Sequence, residues 1–171
     1  MIYFHSEDIK FSLKNKTILK KWIVSTIERK KHKEGEISFV FCSDKYLLKL
    51  NKEYLKHNTY TDIITFDYSQ QFPLVRGERG ISGDIFISVD RVKENAAKFS
   101  KTFEEELHRV IIHGILHLLG YSDKSKMAKT KMTKQEDICL NELKKIFSRR
   151  WRRFTQKQKH LRESAPSART H

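Results

Sequence analysis

The sequence predicts one α+β (mixed α/β) domain, a small mixed β-sheet flanked by about five helices. Three observations carry this. Its 171 residues suit a single domain long enough to enclose a core around one site. Segments with helical apolar spacing alternate along the chain with short β-branched and aromatic ones, without internal repeats. With 38% hydrophobic residues, 6 Gly, 2 Pro and no apolar run near the ~18 residues of a membrane span, the composition excludes disordered, collagen-like and membrane-spanning classes.

The elements follow in order. After Thr17, Ile18, Leu19, Trp22, Ile23 and Ile27 recur at i, i+3, i+4 spacing, with lysines on the other face, which predicts an amphipathic helix ended by Gly35. Ile37 to Cys42 is short, β-branched and aromatic, and reads as a strand. Ser43 or Asp44 can cap a helix with Leu47, Leu48, Leu50 or Tyr54 on its apolar face, depending on register. Ile63 to Phe66 is a second strand, and Ser69 to Gly80, with Pro73 and Gly77, is the one long loop. Gly83 to Val89 is a third strand.

Asp90 opens a helix through Val92, Ala96, Ala97 and Phe99. Thr102 can cap the next, whose Glu104, Glu105 and Glu106 suit the positive end of the helix dipole. That helix runs through Leu107, Val110, Ile111, Ile115, Leu116 and Leu119, apolar on nearly every side, so it should be the most buried, and Gly120 should stop it. A last helix, Met132 to Phe147, carries Ile138, Leu140, Leu143 and Ile146.

Charge divides the chain. Lys and Arg number 35 against 21 Asp and Glu, a net +14 that points to a polyanionic partner, nucleic acid ahead of a membrane surface. Half of that excess lies in residues 148–171, where eight cations, among them Arg149, Arg150, Arg152 and Arg153, face one acid, Glu163. Residues 1–147 are therefore expected to be the folded domain, and 148–171 a basic tail with little to bury and a mobile chain. Cys42 and Cys139 each lie inside an apolar pattern, far apart, and read as buried small hydrophobes. No secretory or mitochondrial signal is apparent at the N-terminus, and both features suit a reducing cytoplasm.

The sharpest chemistry lies in His113-Gly114-Ile115-Leu116-His117-Leu118-Leu119-Gly120-Tyr121-Ser122-Asp123. Two histidines four apart on a helix share a face, roughly 5–6 Å between Cβ atoms, so two ring nitrogens can reach one ion. A left-handed turn at Gly120 would fold the chain back so that Asp123 meets the same ion. A His, His, Asp set suits one Zn²⁺ and leaves a fourth position for water, as in a catalytic site. The plainer reading is a pair of core histidines, but two buried rings without partners would cost a few kcal/mol. Gly114 stands where a metalloprotease needs a Glu base, which disfavours peptide hydrolysis.

This segment resembles the YbeY endoribonucleases, the rRNA maturation factors, whose signature is H-G-x-L-H-L-x-G-Y-D-H; the match runs from His113 through Tyr121. The resemblance covers most of Leu50 to Leu140. Leu50-Asn51-Lys52-Glu53-Tyr54 and Thr61-Asp62-Ile63-Ile64-Thr65-Phe66 look like the family's L-N-x-x-Y-R and P-T-D/N-V-L-S-F. Gly83-Asp84-Ile85-Phe86-Ile87-Ser88 is similar to its G-D-I strand, and Met132 with Glu136 to its closing helix. The resemblance implies a zincin-like fold and places the zinc ligands on His113, His117 and Asp123, the last usually a His.

Two departures stand out: the arginine after the family's Tyr is Leu55, and the Pro before Thr is Tyr60. Any role of that arginine is dropped or moves to Lys56 or His57, the candidates for RNA contact and for catalysis beside a metal-bound water; Arg149, Arg150, Arg152 and Arg153 are further RNA-binding candidates. Asp62 and Asp84 read as turn or cap residues before ligand-orienting ones, and Glu106 as a complement to the helix dipole. The resemblance implies a cytoplasmic, zinc-dependent endoribonuclease specific for single-stranded RNA. It would act in 16S rRNA 3′ end maturation and ribosome quality control, with rRNA and the small ribosomal subunit as partners and no membrane. The alternative is a non-catalytic RNA-binding assembly factor with a structural zinc.

Overall fold

The computed structural model describes residues 1–71 and 80–163. Along them run β1 (Ile2–Ser6), α1 (Lys16–Arg29), β2 (Lys33–Cys42), α2 (Asp44–Leu55), β3 (Ile63–Asp67), β4 (Gly80–Ser88), α3 (Val89–Lys98), α4 (Phe103–Leu118) and α5 (Lys126–Glu163). The four strands form one mixed sheet in the order β1-β2-β4-β3. β1, β2 and β4 are parallel, and β3 runs antiparallel beside β4, with Ile64 opposite Phe86.

Strand alternation gives the sheet two apolar faces. Ile37, Phe39 and Phe41 of β2 with Ile81, Ile85 and Ile87 of β4 point to one side, where they bury Trp22, Ile23 and Ile27 of α1 and Val110, Ile111 and Ile115 of α4. On the other side Ile64, Phe66 and Phe86 meet Leu47 and Leu50 of α2, with Cys42. Trp22 ties the helical layer together, its indole N–H donating to the Cys139 carbonyl at 2.9 Å in the interior. Both cysteines are free and buried, and burial pushes the Cys42 thiol up to about 12.

Several boundaries differ from the sequence reading. β1 was not foreseen; it is an edge strand whose only buried residue is Ile2, so no alternation marks it. α1 ends at Arg29, with Lys31 taking the left-handed turn (φ 58°), and Gly35 lies inside β2 beside a register shift. Ser88 caps α3 in place of Asp90, its hydroxyl accepting the Arg91 N–H, while Asp90 accepts the backbone N–H of Asp44. Of the expected loop over Ser69 to Gly80, residues 72–79 lie outside the described residues.

The largest difference is α5. It starts at Lys126, where Ser125 accepts the N–H of Ala128, and continues without a break to Glu163. The expected mobile tail is therefore helical over residues 148–163, and 164–171 lie outside the described residues. No Gly or Pro interrupts it, and Arg, Lys and Gln are good helix formers. Its packing changes along its length. Met132, Cys139 and Leu143 are buried and Phe147 still leans on the core, whereas every residue from Ser148 to Lys157 is exposed.

Candidate metal centre

Helix α4 carries the centre, and its start is fixed by a capping box. The Thr102 hydroxyl accepts the Glu105 N–H (3.1 Å) and the Glu105 carboxylate accepts the Thr102 N–H (3.0 Å). Gly114 lets the helix lie close on the sheet, because a Cβ there would come within 2.8 Å of the Ile85 side chain and 3.0 Å of Ile63. This close approach sets His113 and His117 at the sheet's edge, half-buried. After Leu118 the chain turns at Gly120, whose φ of +88° is the left-handed stop expected of it.

The turn brings Asp123 back to the two rings. The Nε2 atoms of His113 and His117 face each other at 2.9 Å, with the ring planes perpendicular, and Asp123 Oδ2 lies 3.7 and 3.8 Å from them. One donor atom from each residue falls within 4.8 Å of the others, so the group could hold a metal ion.

The remaining ring atoms decide the chemistry. His113 Nδ1 lies 2.6 Å from Glu136 Oε1, and His117 Nδ1 lies 3.0 Å from the Tyr121 carbonyl oxygen. A carboxylate and a carbonyl only accept, so both Nδ1 atoms carry the proton. With both rings neutral the two Nε2 atoms would face each other as acceptors, an arrangement that repels unless a proton or a metal ion lies between them. Ligands of a tetrahedral ion bound at 2.0–2.1 Å stand about 3.3 Å apart, and the three observed separations straddle that value. Two imidazoles and a carboxylate are a donor set that zinc takes, so the residues fit the group.

Electrostatics behind the rings reinforce this. Arg109 Nη1 donates to Glu136 Oε2 (2.8 Å) and Nη2 to Asp137 (3.0 Å), fixing the carboxylate that holds His113. Burial alone would raise the Glu136 carboxyl, but His113 and Arg109 outweigh it and hold it below its ordinary value. Burial lowers His113, but Glu136 outweighs it, with Asp62 and Asp123 adding, and the ring sits above its ordinary value. His117 is held below its own by burial and by the neighbouring ring.

Sequence reading missed Glu136 as the partner of His113, and Arg109 altogether. One signal was present: Met132, Glu136, Cys139 and Leu143 share the buried stripe of α5, and a carboxylate at a core position asks for partners. Glu106, read as a dipole residue, is also buried, and burial raises its carboxyl despite nearby Arg109. Asp62 accepts from the Asn95 amide (3.3 Å) and its backbone carbonyl from Ser88, so it ties β3 to α3, with its charge felt at His113. Asp84 accepts from the Tyr68 hydroxyl.

Lys56 and His57 follow α2 in an exposed connection, Lys56 in a left-handed cap with its Nζ donating to the Glu53 carbonyl. Among the described residues, neither forms a hydrogen bond or ion pair with His113, His117 or Asp123. Leu55 is exposed, and Tyr60 lies under the Arg91 guanidinium at 4.6 Å. Arg149, Arg150, Arg152 and Arg153 are exposed on α5 past the packed domain.

The family described as Endoribonuclease YbeY matches residues 1–144. The chain belongs to the YbeY family. Among YbeY proteins, Endoribonuclease YbeY of Flavobacterium johnsoniae is 50% identical over 137 residues, covering 80% of this chain and 93% of the relative. The one from Cytophaga hutchinsonii is 44% identical over 140 residues, 82% of this chain and 94% of that one. The solution structure of TM1509 from Thermotoga maritima shares the fold, with a TM-score of 0.56 at 22% identity over 99% of this chain and all of that one. Membership of the YbeY family accounts for the motif around α4.

Proposed function

We propose that the chain is a zinc-dependent endoribonuclease that cuts single-stranded RNA in the cytoplasm. In this reading it acts in rRNA processing, at the 16S rRNA 3′ end, and in ribosome quality control, with the small ribosomal subunit as partner. Its place among the YbeY endoribonucleases supports RNA cleavage. The observation that carries metal dependence is the pair of Nε2 atoms facing each other at 2.9 Å with Asp123 beside them. A divalent ion held there supplies Lewis acidity toward a phosphoryl oxygen and lowers the pKa of water.

The chain's own residues supply the rest. Glu136 and the Tyr121 carbonyl hold the two rings in one tautomer, so no reorientation is needed when RNA arrives. Asp123, with 42% of its side chain exposed, opens the centre to solvent on one side. Next to it, Lys124, Lys126, Lys129 and Lys134 line an open groove of about 770 Å³, where cations can neutralise the phosphates of a bound strand. Lys56 and His57 are assigned to RNA contact rather than to proton transfer, since neither touches the three ligands.

The test compares cleavage of a labelled single-stranded RNA by the wild type and by His117→Ala at equal folded fraction, with elemental analysis of both and of Asp123→Ala. The wild type should carry one zinc and cleave, and both variants should lose metal. Equal rates for wild type and His117→Ala retire the enzyme. The second reading, a non-catalytic assembly factor whose ion only fixes the loop after Gly120, is favoured by the exposed Leu55 where the family carries arginine; it predicts bound metal without cleavage.

A further inference from the structure

The distal half of α5 lies beyond the residues that the family match covers. The family match stops at residue 144, and the matched segments make up 93% and 99% of the relatives from F. johnsoniae and Karelsulcia muelleri. Beyond Phe147 the helix extends about 24 Å at 1.5 Å per residue. No acid occurs between Leu143 and Arg162. Arg149 with Arg152 and Arg153, Arg150 with Arg153, and Arg153 with Lys157 stand three or four apart, where like charges repel. Among the described residues none of these five cations has a salt bridge.

A stretch so charged, exposed from Ser148 to Lys157, is a local inconsistency that a polyanion removes. A second observation narrows the polyanion. Trp151 and Phe154, 67% and 54% exposed, lie side by side with ring centroids 6.1 Å apart and planes inclined by 32°. At 100° per residue they share one face, bordered on one side by the row Arg150, Arg153 and Lys157. Apolar rings beside a row of cations are what an RNA strand with unpaired bases meets: phosphates on the cations, bases on the rings.

Other occupants fit less well. Two aromatic side chains bury at most about 250 Å² each, short of the ~1,000 Å² of a stable protein contact, and a second copy would bring like charges together. A membrane-surface helix needs a longer apolar face than Trp151 and Phe154 provide.

We propose that residues 149–157 of α5 form a second RNA-contacting surface apart from the metal centre, where Arg150, Arg153 and Lys157 hold phosphates and Trp151 and Phe154 stack on unpaired bases. This rests on the reading of the chain as an RNA-acting protein.

Trp151 is its own reporter, because the chain's other tryptophan, Trp22, is buried. The full chain is titrated with a 2′-O-methyl single-stranded 20-mer, which resists cleavage, at several salt concentrations. Emission should be quenched to saturation, and Trp151→Phe should abolish the change. Replacing Arg149, Arg150, Arg152 and Arg153 by Gln should weaken binding at least tenfold and lower the slope of log K against log salt by at least about 1. Trp151→Ala with Phe154→Ala should weaken it about tenfold at unchanged slope.

Unquenched emission, or equal affinity of the four-Gln chain and the wild type, overturns the proposal. So does quenching by phosphatidylglycerol vesicles but not by RNA. The cleavage assay is separate. If cleavage depends on His117 while the four-Gln chain binds normally, the second surface falls and the nuclease stands. If wild type and His117→Ala cleave alike while Trp151 still reports saturable binding, the nuclease falls and the second surface stands.

Discussion

Helices α4 and α5 both carry charged groups at regular spacing, yet they hold them by opposite means. In α4 the helix start and the two histidines have partners, a capping box at the one and a carboxylate and a carbonyl behind the others, with core on most sides. On distal α5, among the described residues, Arg149, Arg150, Arg152, Arg153 and Lys157 have no ion-paired carboxylate, and Trp151 and Phe154 are exposed. Buried order on α4 is built by packing, which tolerates little change. Exposed order on distal α5 rests on backbone propensity, which leaves side chains free for something outside the molecule.

Equal perturbations should therefore have unequal effects. Ile111→Ala removes a fully buried side chain and should cost about 2–5 kcal/mol in chemical denaturation. Trp151→Ala should change stability by less than about 0.5 kcal/mol; a large loss there would mean that the distal helix packs on the domain after all. Glu136→Gln keeps an acceptor for His113 but removes the charge, and should weaken metal affinity about 10–100-fold in a chelator competition with little change in fold. An unchanged affinity would show that Glu136 serves packing alone.

A smaller effect lies at the start of α4. Thr102→Ala should cost about 1 kcal/mol, read as a shift in the denaturation midpoint. Acid should act in the same direction. By accepting the Thr102 N–H, the Glu105 carboxylate is held below its ordinary value. Its contribution is therefore complete above the ordinary carboxylate pKa and lost as pH falls through the depressed one. In Glu105→Gln, which keeps an acceptor for the Thr102 N–H but removes the titrating group, that acid sensitivity should disappear, which a pH series of unfolding curves would reveal. Smallest of all, a thiol reagent at pH 8 should find neither cysteine in the native protein, since both are buried and Cys42 sits near 12. Prompt labelling of either would show an interior looser than described.

The same contrast explains what could be read from residues alone. α4 was legible because burial on nearly every side leaves an unbroken apolar pattern, and because two histidines at helical spacing with Gly120 and Asp123 behind them form a local motif. β1 escaped because an edge strand with one buried residue has no pattern to show. The Glu136 to His113 bond joins residues 23 positions apart on different helices, so neither neighbourhood reveals it. The distal half of α5 was invisible as a helix because a run of Arg, Lys and Gln looks the same whether coiled or extended until something packs on it.

The two imidazoles differ in what steers them. His113 depends on a side chain, so substitution at Glu136 or Arg109 can retune it. His117 depends on the main-chain oxygen of Tyr121, delivered by the reversal at Gly120. No exchange of side chain deletes a peptide carbonyl. Natural drift at positions 121 and 122 is thus free to alter the rim of the cleft while one ligand keeps its aim, and only a residue that refuses the turn at Gly120 would cast it loose.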